Sequence, residues 1–250
     1  MGSFEIKTPE DIKKMQEGGK ILRAVKNAVA KKVKTGVSAK DLDEFAEQMI
    51  LDLGGKSSFK TVPNYRWTTC VNVNAGIVHG IPTKDLVFKK GDVVSIDLGV
   101  LYQGFHTDTS ITVAIDPSAQ VSKMLKVGQN ALDLAIVEAK PGKRIYDISE
   151  AIEKKVKAGG FNPVRALVGH GVGRELHEEP QIPCFVSGTR NESPKIPVGA
   201  VIAIEVMYTQ GKPDLVLEDD GWTISTQDGK ISALFEETVA VTSHGPIVLT

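Results

Sequence analysis

The strongest constraint on the fold of this 250-residue chain is an internal repeat, because its two halves carry the same kinds of segment in the same order. Each half has a helix-like segment with an aspartate five residues after a glycine, an apolar segment with a carboxylate six residues after a glycine, and a β-branched segment opened by a carboxylate. The matched pairs are GVSAKDLDEFAE (36–47) and GKRIYDISEAIE (142–153), GDVVSIDL (91–98) and GAVIAIEV (199–206), and DTSITVAI (108–115) and EETVAV (236–241). Chance similarity is the alternative, but shared order and spacing favour a duplicated α/β unit.

Each repeat is predicted to hold a pair of helices followed by strands. Capping residues place helices after Thr8, Ser38 and Ser118, and a fourth is predicted from about Asp147. Strands are predicted at 69–74, 92–100, 110–115, 199–208 and 231–242. We therefore expect an α/β (α+β) fold in one domain, 1–250, with two pseudo-symmetric halves at about 1–116 and 117–250.

Composition narrows the class of protein. The 30 basic and 31 acidic residues nearly balance, which excludes a strongly basic nucleic-acid binder. Two cysteines make no disulfide framework, and there is neither an apolar leader nor an apolar run long enough to cross a membrane. We expect a cytoplasmic protein that binds no membrane.

Four acidic residues stand in or beside apolar strand segments. Asp97 and Glu205 lie within apolar runs, and Asp108 and Glu236 stand at the start of two further strands. A buried carboxylate is costly unless it is paired or bound to metal, and these runs contain no lysine or arginine. If a pseudo-twofold axis relates the halves, the four converge at the centre, where two divalent cations would balance their charge. Structural ion pairs are the alternative.

Three of the five histidines lie near glycines: His79 in VHGIP, His170 in VGHGVG and His177 in ELHEEP. Histidine is both a common metal ligand and a proton carrier near neutral pH, although a lone histidine is more often a core residue. A set of carboxylates with one imidazole suits Mn, Fe(II), Co or Zn better than a thiolate site would.

These motifs resemble those of the type I methionine aminopeptidases. The similar segments are VHGIP, DLGVLYQGFHTDTS, GHGVGRELHEEP, AIEVMYTQ and LFEETVAVT. The resemblance implies the pita-bread (creatinase–aminopeptidase) fold around a dinuclear centre. It also implies a hydrolase that removes the N-terminal methionine of nascent proteins and peptides with a metal-activated water.

The resemblance also assigns roles to residues. The metal ligands would be Asp97, Asp108, His170, Glu205 and Glu236, which would hold two divalent ions per chain. Glu205 would also be the general base, His177 would stabilise the tetrahedral intermediate, and His79 would contact the scissile amide and help deliver a proton.

The methionine side chain would occupy an apolar pocket beside His79 and His177. The resemblance implies that its wall is formed by Phe59, Val62, Tyr65, Cys70, Leu176 and Trp222. The chain departs from the family at Val62 and Leu176, where aromatic residues are common. We expect a monomer that acts on nascent polypeptides, with a transient ribosome contact and no nucleic-acid binding of its own.

Two other functions remain open at this point. An X-Pro aminopeptidase or prolidase would share the fold, but it usually carries an extra N-terminal domain. A pita-bread module without catalysis would bind a partner, but it would be expected to lose some of the five ligands.

Overall fold

The computed structural model describes residues 3–250, and Met1 and Gly2 lie outside the described residues. The helices are α1 (Pro9–Lys32), α2 (Ala39–Asp52), α3 (Ala119–Glu138) and α4 (Ile145–Ala158). The strands are β1 (Lys56–Ser57), β2 (Thr69–Val73), β3 (Gly76–Val78), β4 (Val93–Tyr102), β5 (Phe105–Ala114), β6 (Asn162–Pro163), β7 (Val168–Gly171), β8 (Glu178–Pro183), β9 (Val201–Thr209), β10 (Leu215–Leu217), β11 (Ile224–Thr226), β12 (Ser232–Thr242) and β13 (Gly245–Val248). One 3₁₀ turn covers Phe59–Thr61.

An antiparallel sheet forms the centre of the molecule. Its main path runs β1-β4-β5-β12-β9-β7-β8, with β2 paired to β4, β6 to β9 and β13 to β12. The pair β4–β5 comes from the first repeat and the pair β9–β12 from the second, and β5 pairs directly with β12. The predicted α/β class with a central sheet is therefore confirmed, while the boundary between the halves near residue 116 stays a prediction.

Helices cover one face of this sheet, because every second side chain of the long strands is apolar and points towards them. On β4, Ile96 and Leu98 are fully buried in a core that also contains Leu22 of α1 and Leu42 of α2. On β9, Ile202, Ile204 and Val206 are buried against α3 and α4 in the same way. The alternate residues, including Asp97 and Glu205, point to the opposite face.

The repeated glycines occupy equivalent turns. Gly36 and Gly142 have φ angles of 87° and 83°, and Gly91 and Gly199 have 90° and 87°, in the left-handed region that favours glycine. The aspartate five residues after the first glycine stabilises the start of a helix in both halves. Asp41 closes a capping box with Ser38 at α2, whereas the cap of α4 is the hydrogen bond that Asp147 accepts from the Arg144 backbone N–H. The spacing that marks the repeat therefore encodes helix starts.

Several predicted boundaries are wrong by one to five residues, among them the starts of α4 and β5. Helix α4 begins at Ile145 rather than at about Asp147, because Asp147 is the third residue of the helix and accepts a hydrogen bond from the backbone N–H of Arg144 at 2.9 Å. Strand β5 begins at Phe105 rather than at 110, so Asp108 lies within the strand. In the described part of the chain, no helix is apolar enough over sufficient length to span a bilayer.

Candidate functional site

The strand register brings the acidic residues into one row across the sheet. Asp97 on β4 pairs with Ser110 on β5, Ser110 pairs with Glu236 on β12, and Glu236 pairs with Glu205 on β9. Paired residues of antiparallel strands point to the same face, and so does Asp108, which lies two residues before Ser110. The four carboxylates predicted to converge therefore share the face opposite the two helix-packed cores.

His170 completes this cluster from β7. One donor atom from each of Asp108, His170 and Glu236 lies within 4.8 Å of the others, a separation that permits shared metal coordination. His170 Nε2 is 3.5 Å from Glu205 Oε1 and 4.0 Å from Asp108 Oδ2. Its Nδ1 is 2.8 Å from the carbonyl oxygen of Gly171, to which it can donate, and that hydrogen bond would leave Nε2 free to bind a metal.

Burial and mutual repulsion dominate the electrostatics of the row. Burial raises the pKa of Asp97 to about 7. The pKa values of Asp108, Glu205 and Glu236 are raised well above their usual range, first by burial and then by the neighbouring carboxylates. Burial, aided by nearby His177, lowers the pKa of His170 to about 3, so this imidazole stays neutral and able to bind metal.

The donor set fits divalent cations. Among residues 3–250, Asp97 Oδ1 and Glu236 Oε1 are buried without a hydrogen-bond partner. In the same described region, the ion-pair contacts of Asp108 and Glu205 involve His170 and no lysine or arginine. Structural ion pairs therefore do not explain the acidic row. Oxygen donors with one imidazole match the preferences of Mn, Fe(II), Co or Zn.

A cavity of about 160 Å³ lies over the acidic row. All thirteen residues singled out in the sequence line it, together with Val78. They are Asp97, Asp108, His170, Glu205, Glu236, His79, His177, Phe59, Val62, Tyr65, Cys70, Leu176 and Trp222. One side of the cavity is therefore acidic and the other apolar, and the individual roles of these residues remain proposals.

Aromatic packing shapes the apolar side. Tyr65 contacts Phe59, Trp67 and Trp222 edge-on, with ring centroids 6.4, 5.2 and 5.1 Å away. Its hydroxyl donates to the carbonyl oxygen of Thr69 at 2.9 Å and lies 3.2 Å from Cys70 Sγ. Because the aromatic rings pack against one another and the Tyr65 hydroxyl has hydrogen-bond partners, the apolar side of the cavity is held in one arrangement.

A buried aspartate fixes the loop that carries this wall. Asp43 Oδ1 on α2 accepts hydrogen bonds from the backbone N–H of Thr68 at 3.0 Å, the N–H of Thr69 at 2.7 Å and the Thr69 hydroxyl at 2.7 Å. These bonds offset part of the burial of the carboxylate, although its pKa stays raised by that burial. Helix α2 thereby sets the position of β2, on which Cys70 pairs with Asp97.

His79 and Trp222 approach the cavity from a second, three-stranded sheet of order β10-β11-β3. Val78, the last residue of β3, pairs with Ile224 of β11, which places His79 and Trp222 near each other. His79 has a φ of 59°, an uncommon value for a residue other than glycine, and such backbone strain is concentrated at functional sites. The next residue, Gly80, has no room for a Cβ, which would lie 2.3 Å from the Val71 carbonyl oxygen.

His177 lies at the mouth of the cavity. Its ring packs edge-on against His170, with centroids 4.5 Å apart, and much of the residue is exposed to solvent. The arrangement puts a neutral imidazole beside the acidic row and open to a ligand that enters from solvent.

Two residues of the site were missed in the sequence. Val78 lines the cavity, and Ser110 occupies the row between Asp97 and Glu236 with its hydroxyl buried and unpartnered among the described residues. The two-residue period of a strand could have found Ser110, because it follows Asp108 by two positions. No comparable signal marks Val78.

Comparison with known proteins agrees with the fold. Residues 13–243 match the model of metallopeptidase family M24. The methionine aminopeptidase of Aquifex aeolicus is 39% identical over 99% of both chains, and methionine aminopeptidase 1 of Bacillus subtilis is 41% identical over 98% of both. The methionine aminopeptidase structure from Thermotoga maritima has a TM-score of 0.96 at 39% identity, covering 99% of both chains.

The relationship extends at the level of fold to a prolidase from Pyrococcus furiosus. That structure has a TM-score of 0.78 at 23% identity, and the match covers 98% of this chain but 65% of the prolidase. The chain belongs to metallopeptidase family M24 and, within it, to the methionine aminopeptidases. The pita-bread fold expected from the sequence is thus confirmed.

Proposed function

We propose that this protein is a metal-dependent aminopeptidase that removes the N-terminal methionine from nascent proteins and peptides. The observation that carries this proposal is the convergence of five metal-ligand side chains, without a lysine or arginine partner in the described chain, on a cavity whose other wall is apolar. The near full-length relatives named methionine aminopeptidase support the same function.

Five side chains would hold two divalent cations. They are Asp97, Asp108, His170, Glu205 and Glu236. Asp108 and Glu236 are the most deeply buried carboxylates of the set and lie on neighbouring strands. When bound, the ions would lower the pKa of the attacking water and polarise the scissile carbonyl. Mn, Fe(II), Co and Zn all suit these donors.

The remaining steps would use this chain's own side chains. Glu205 would accept the proton of the attacking water as general base. His177, at the mouth of the cavity, would donate a hydrogen bond to the oxygen that becomes negatively charged. His79, on its strained turn, would lie beside the scissile amide and help to protonate the leaving amine.

The apolar wall would select the substrate. Tyr65, Cys70, Leu176 and Phe59 are buried around the cavity, with Val62 and Trp222 partly buried at its edge. These side chains match a flexible thioether chain such as methionine, which tolerates some variation in pocket shape. The free α-amine of the substrate would meet the acidic side of the same cavity.

The decisive experiment is release of free methionine from a Met-Ala-Ser peptide by protein loaded with Mn, Co, Fe(II) or Zn. Ala-Pro peptides serve as the competing substrate, because an X-Pro enzyme would prefer them. We expect methionine release with the wild type and none with the Asp97→Asn or Glu205→Gln variants, whose circular dichroism stays native. No bound metal and no cleavage after reconstitution would instead favour a binding module.

The same proposal includes the location of the protein, its oligomeric state and its contact with the ribosome. We expect a cytoplasmic monomer that meets nascent chains through a transient ribosome contact. Sedimentation of the purified protein with and without ribosomes measures both its oligomeric state and that contact.

A further inference from the structure

A buried ion pair joins the N-terminal segment to the hairpin that carries His177. Lys7 Nζ contacts Glu178 Oε2, and the two side chains are only 4% and 3% exposed. Glu178 follows His177 directly and is the first residue of β8. Within the described chain, this lysine is the cation paired with Glu178.

Further contacts fix both partners. The backbone N–H of Lys7 donates to the Gly199 carbonyl oxygen at 2.8 Å, and its Nζ donates to the Glu5 carbonyl oxygen at 3.0 Å. The other oxygen of Glu178 accepts from the backbone N–H of Glu175 at 3.3 Å. The Glu178 carboxylate thus closes the loop before it and attaches that loop to the N-terminal segment.

The lysine stem also packs against the loop backbone. A Cβ added to Gly173 would lie 2.2 Å from Lys7 Cε, so the stem occupies the space beside this glycine. The Gly173 carbonyl oxygen accepts from the backbone N–H of His106 on β5 at 2.7 Å. The loop is therefore held between Lys7 on one side and the strand that carries Asp108 on the other.

We propose that Lys7, acting through Glu178, is a positioning residue that fixes His177 over the acidic row. This inference rests on the proposed function, because it concerns the residue assigned to the tetrahedral intermediate. His177 is partly exposed at the mouth of the cavity, so its position depends on the backbone of loop 172–177 as well as on its packing against His170. An error of about 1 Å in such a group can reduce the rate about a hundredfold.

The test measures kcat, KM and metal affinity for Lys7→Met, Glu178→Gln, the double variant and Lys7→Arg. We expect Lys7→Met to lower kcat at least tenfold, with KM and the Kd for Mn²⁺ within twofold of wild type. Lys7→Arg should recover most of the loss, because it keeps a cation. The double variant should lose no more than the worse single variant, since both changes break one contact. Lys14→Met, which removes a partly exposed lysine paired with the exposed Glu10, is the matched control and should change nothing.

Amide hydrogen exchange at residues 173–178 separates this inference from the proposed function. Faster exchange in Lys7→Met than in wild type supports the tether, and unchanged exchange overturns it. A kcat within twofold of wild type, or a kcat loss matched by metal loss, overturns the positioning role.

Lys7→Met could unfold at the assay temperature. In that case Glu178→Gln, which keeps a hydrogen-bond acceptor, tests the proposal by the same criteria. A loaded wild type that releases no methionine would refute the proposed function and the catalytic role, while the exchange data would still test the tether.

Discussion

Glu236 is the most deeply buried acid of the row, at 2% exposure, and the next residue on β12 has the opposite environment. Burial and then the neighbouring carboxylates raise the pKa of Glu236, whereas Glu237 points to the helix face and accepts from Lys26 Nζ at 2.6 Å. Two adjacent glutamates thus have opposite electrostatic roles, because a strand alternates its faces.

This contrast predicts opposite stability changes in the metal-free protein at pH 8. Glu236→Gln should stabilise it by about 1–2 kcal/mol, because it removes a carboxyl group whose ionisation in the folded state is opposed by burial and by the neighbouring carboxylates. Glu237→Gln, the matched control, should destabilise it by about 1–3 kcal/mol, because Lys26 loses its anionic partner. Calorimetry in EDTA measures both changes. A lower melting temperature for Glu236→Gln would contradict the assignment of a repulsive cluster.

Metal uptake should release protons. Burial raises the pKa of Asp97 to about 7, so this group is partly protonated near pH 7 without metal. Burial and the neighbouring carboxylates raise the pKa values of Asp108 and Glu236 in the same direction, and a bound cation must displace the protons that the row holds. Apparent affinity for Mn²⁺ should therefore rise between pH 6 and 8. Titration calorimetry in two buffers of different ionisation enthalpy counts the protons, and a value of zero at pH 7 would exclude this account.

The long helix of each repeat packs a glycine against the sheet. Gly18 of α1 and Gly128 of α3 are both the tenth residue of their helix, since the helices begin at Pro9 and Ala119. A Cβ would lie 3.0 Å from Tyr102 Cβ at Gly18 and 2.4 Å from the Tyr208 hydroxyl at Gly128. The two repeats therefore bring their helices close to the strands by the same means.

Gly19 provides the sharpest test of this close packing. Alanine normally stabilises a helix interior by about 1 kcal/mol relative to glycine. A Cβ at Gly19 would lie 2.3 Å from the backbone oxygen of Leu249, which cannot rotate away. Gly19→Ala should therefore destabilise the protein by about 2 kcal/mol net in urea unfolding. Lys20→Ala, an exposed neighbour, is the control, and a stabilised Gly19→Ala would show that the contact is loose.

At the scale of the element, a helix start was predictable where the N-cap side chain accepts a backbone hydrogen bond, as Thr8 and Ser38 do. The start of α4 was not, because Arg144 is no usual cap and its own backbone N–H donates to Asp147. The early start of β5 could not be predicted from the sequence either. The backbone N–H of His106, near that start, donates to the carbonyl oxygen of Gly173, which lies far along the chain. Capping side chains therefore predict where a helix begins, whereas the ends of elements that depend on contacts with distant residues cannot be read from the neighbouring sequence.

At the scale of the whole molecule, the sequence indicated which acids matter, since charge inside an apolar strand is costly. It could not give the register that aligns Asp97, Glu236 and Glu205 through Ser110, because the step from Ser110 to Glu236 depends on the pairing of β5 with β12, two strands of different halves. The contact between Lys7 and Glu178 was hidden for the same reason.

Asp97 and Asp108 come from the first repeat, whereas His170, Glu205 and Glu236 come from the second. Cations bound among them would tie together distant stretches of polypeptide, much as a disulfide does, but reversibly. The two halves could then separate only if the metal ions dissociated. The supply of metal would then govern how long the folded protein resists proteolysis as well as how fast it turns over.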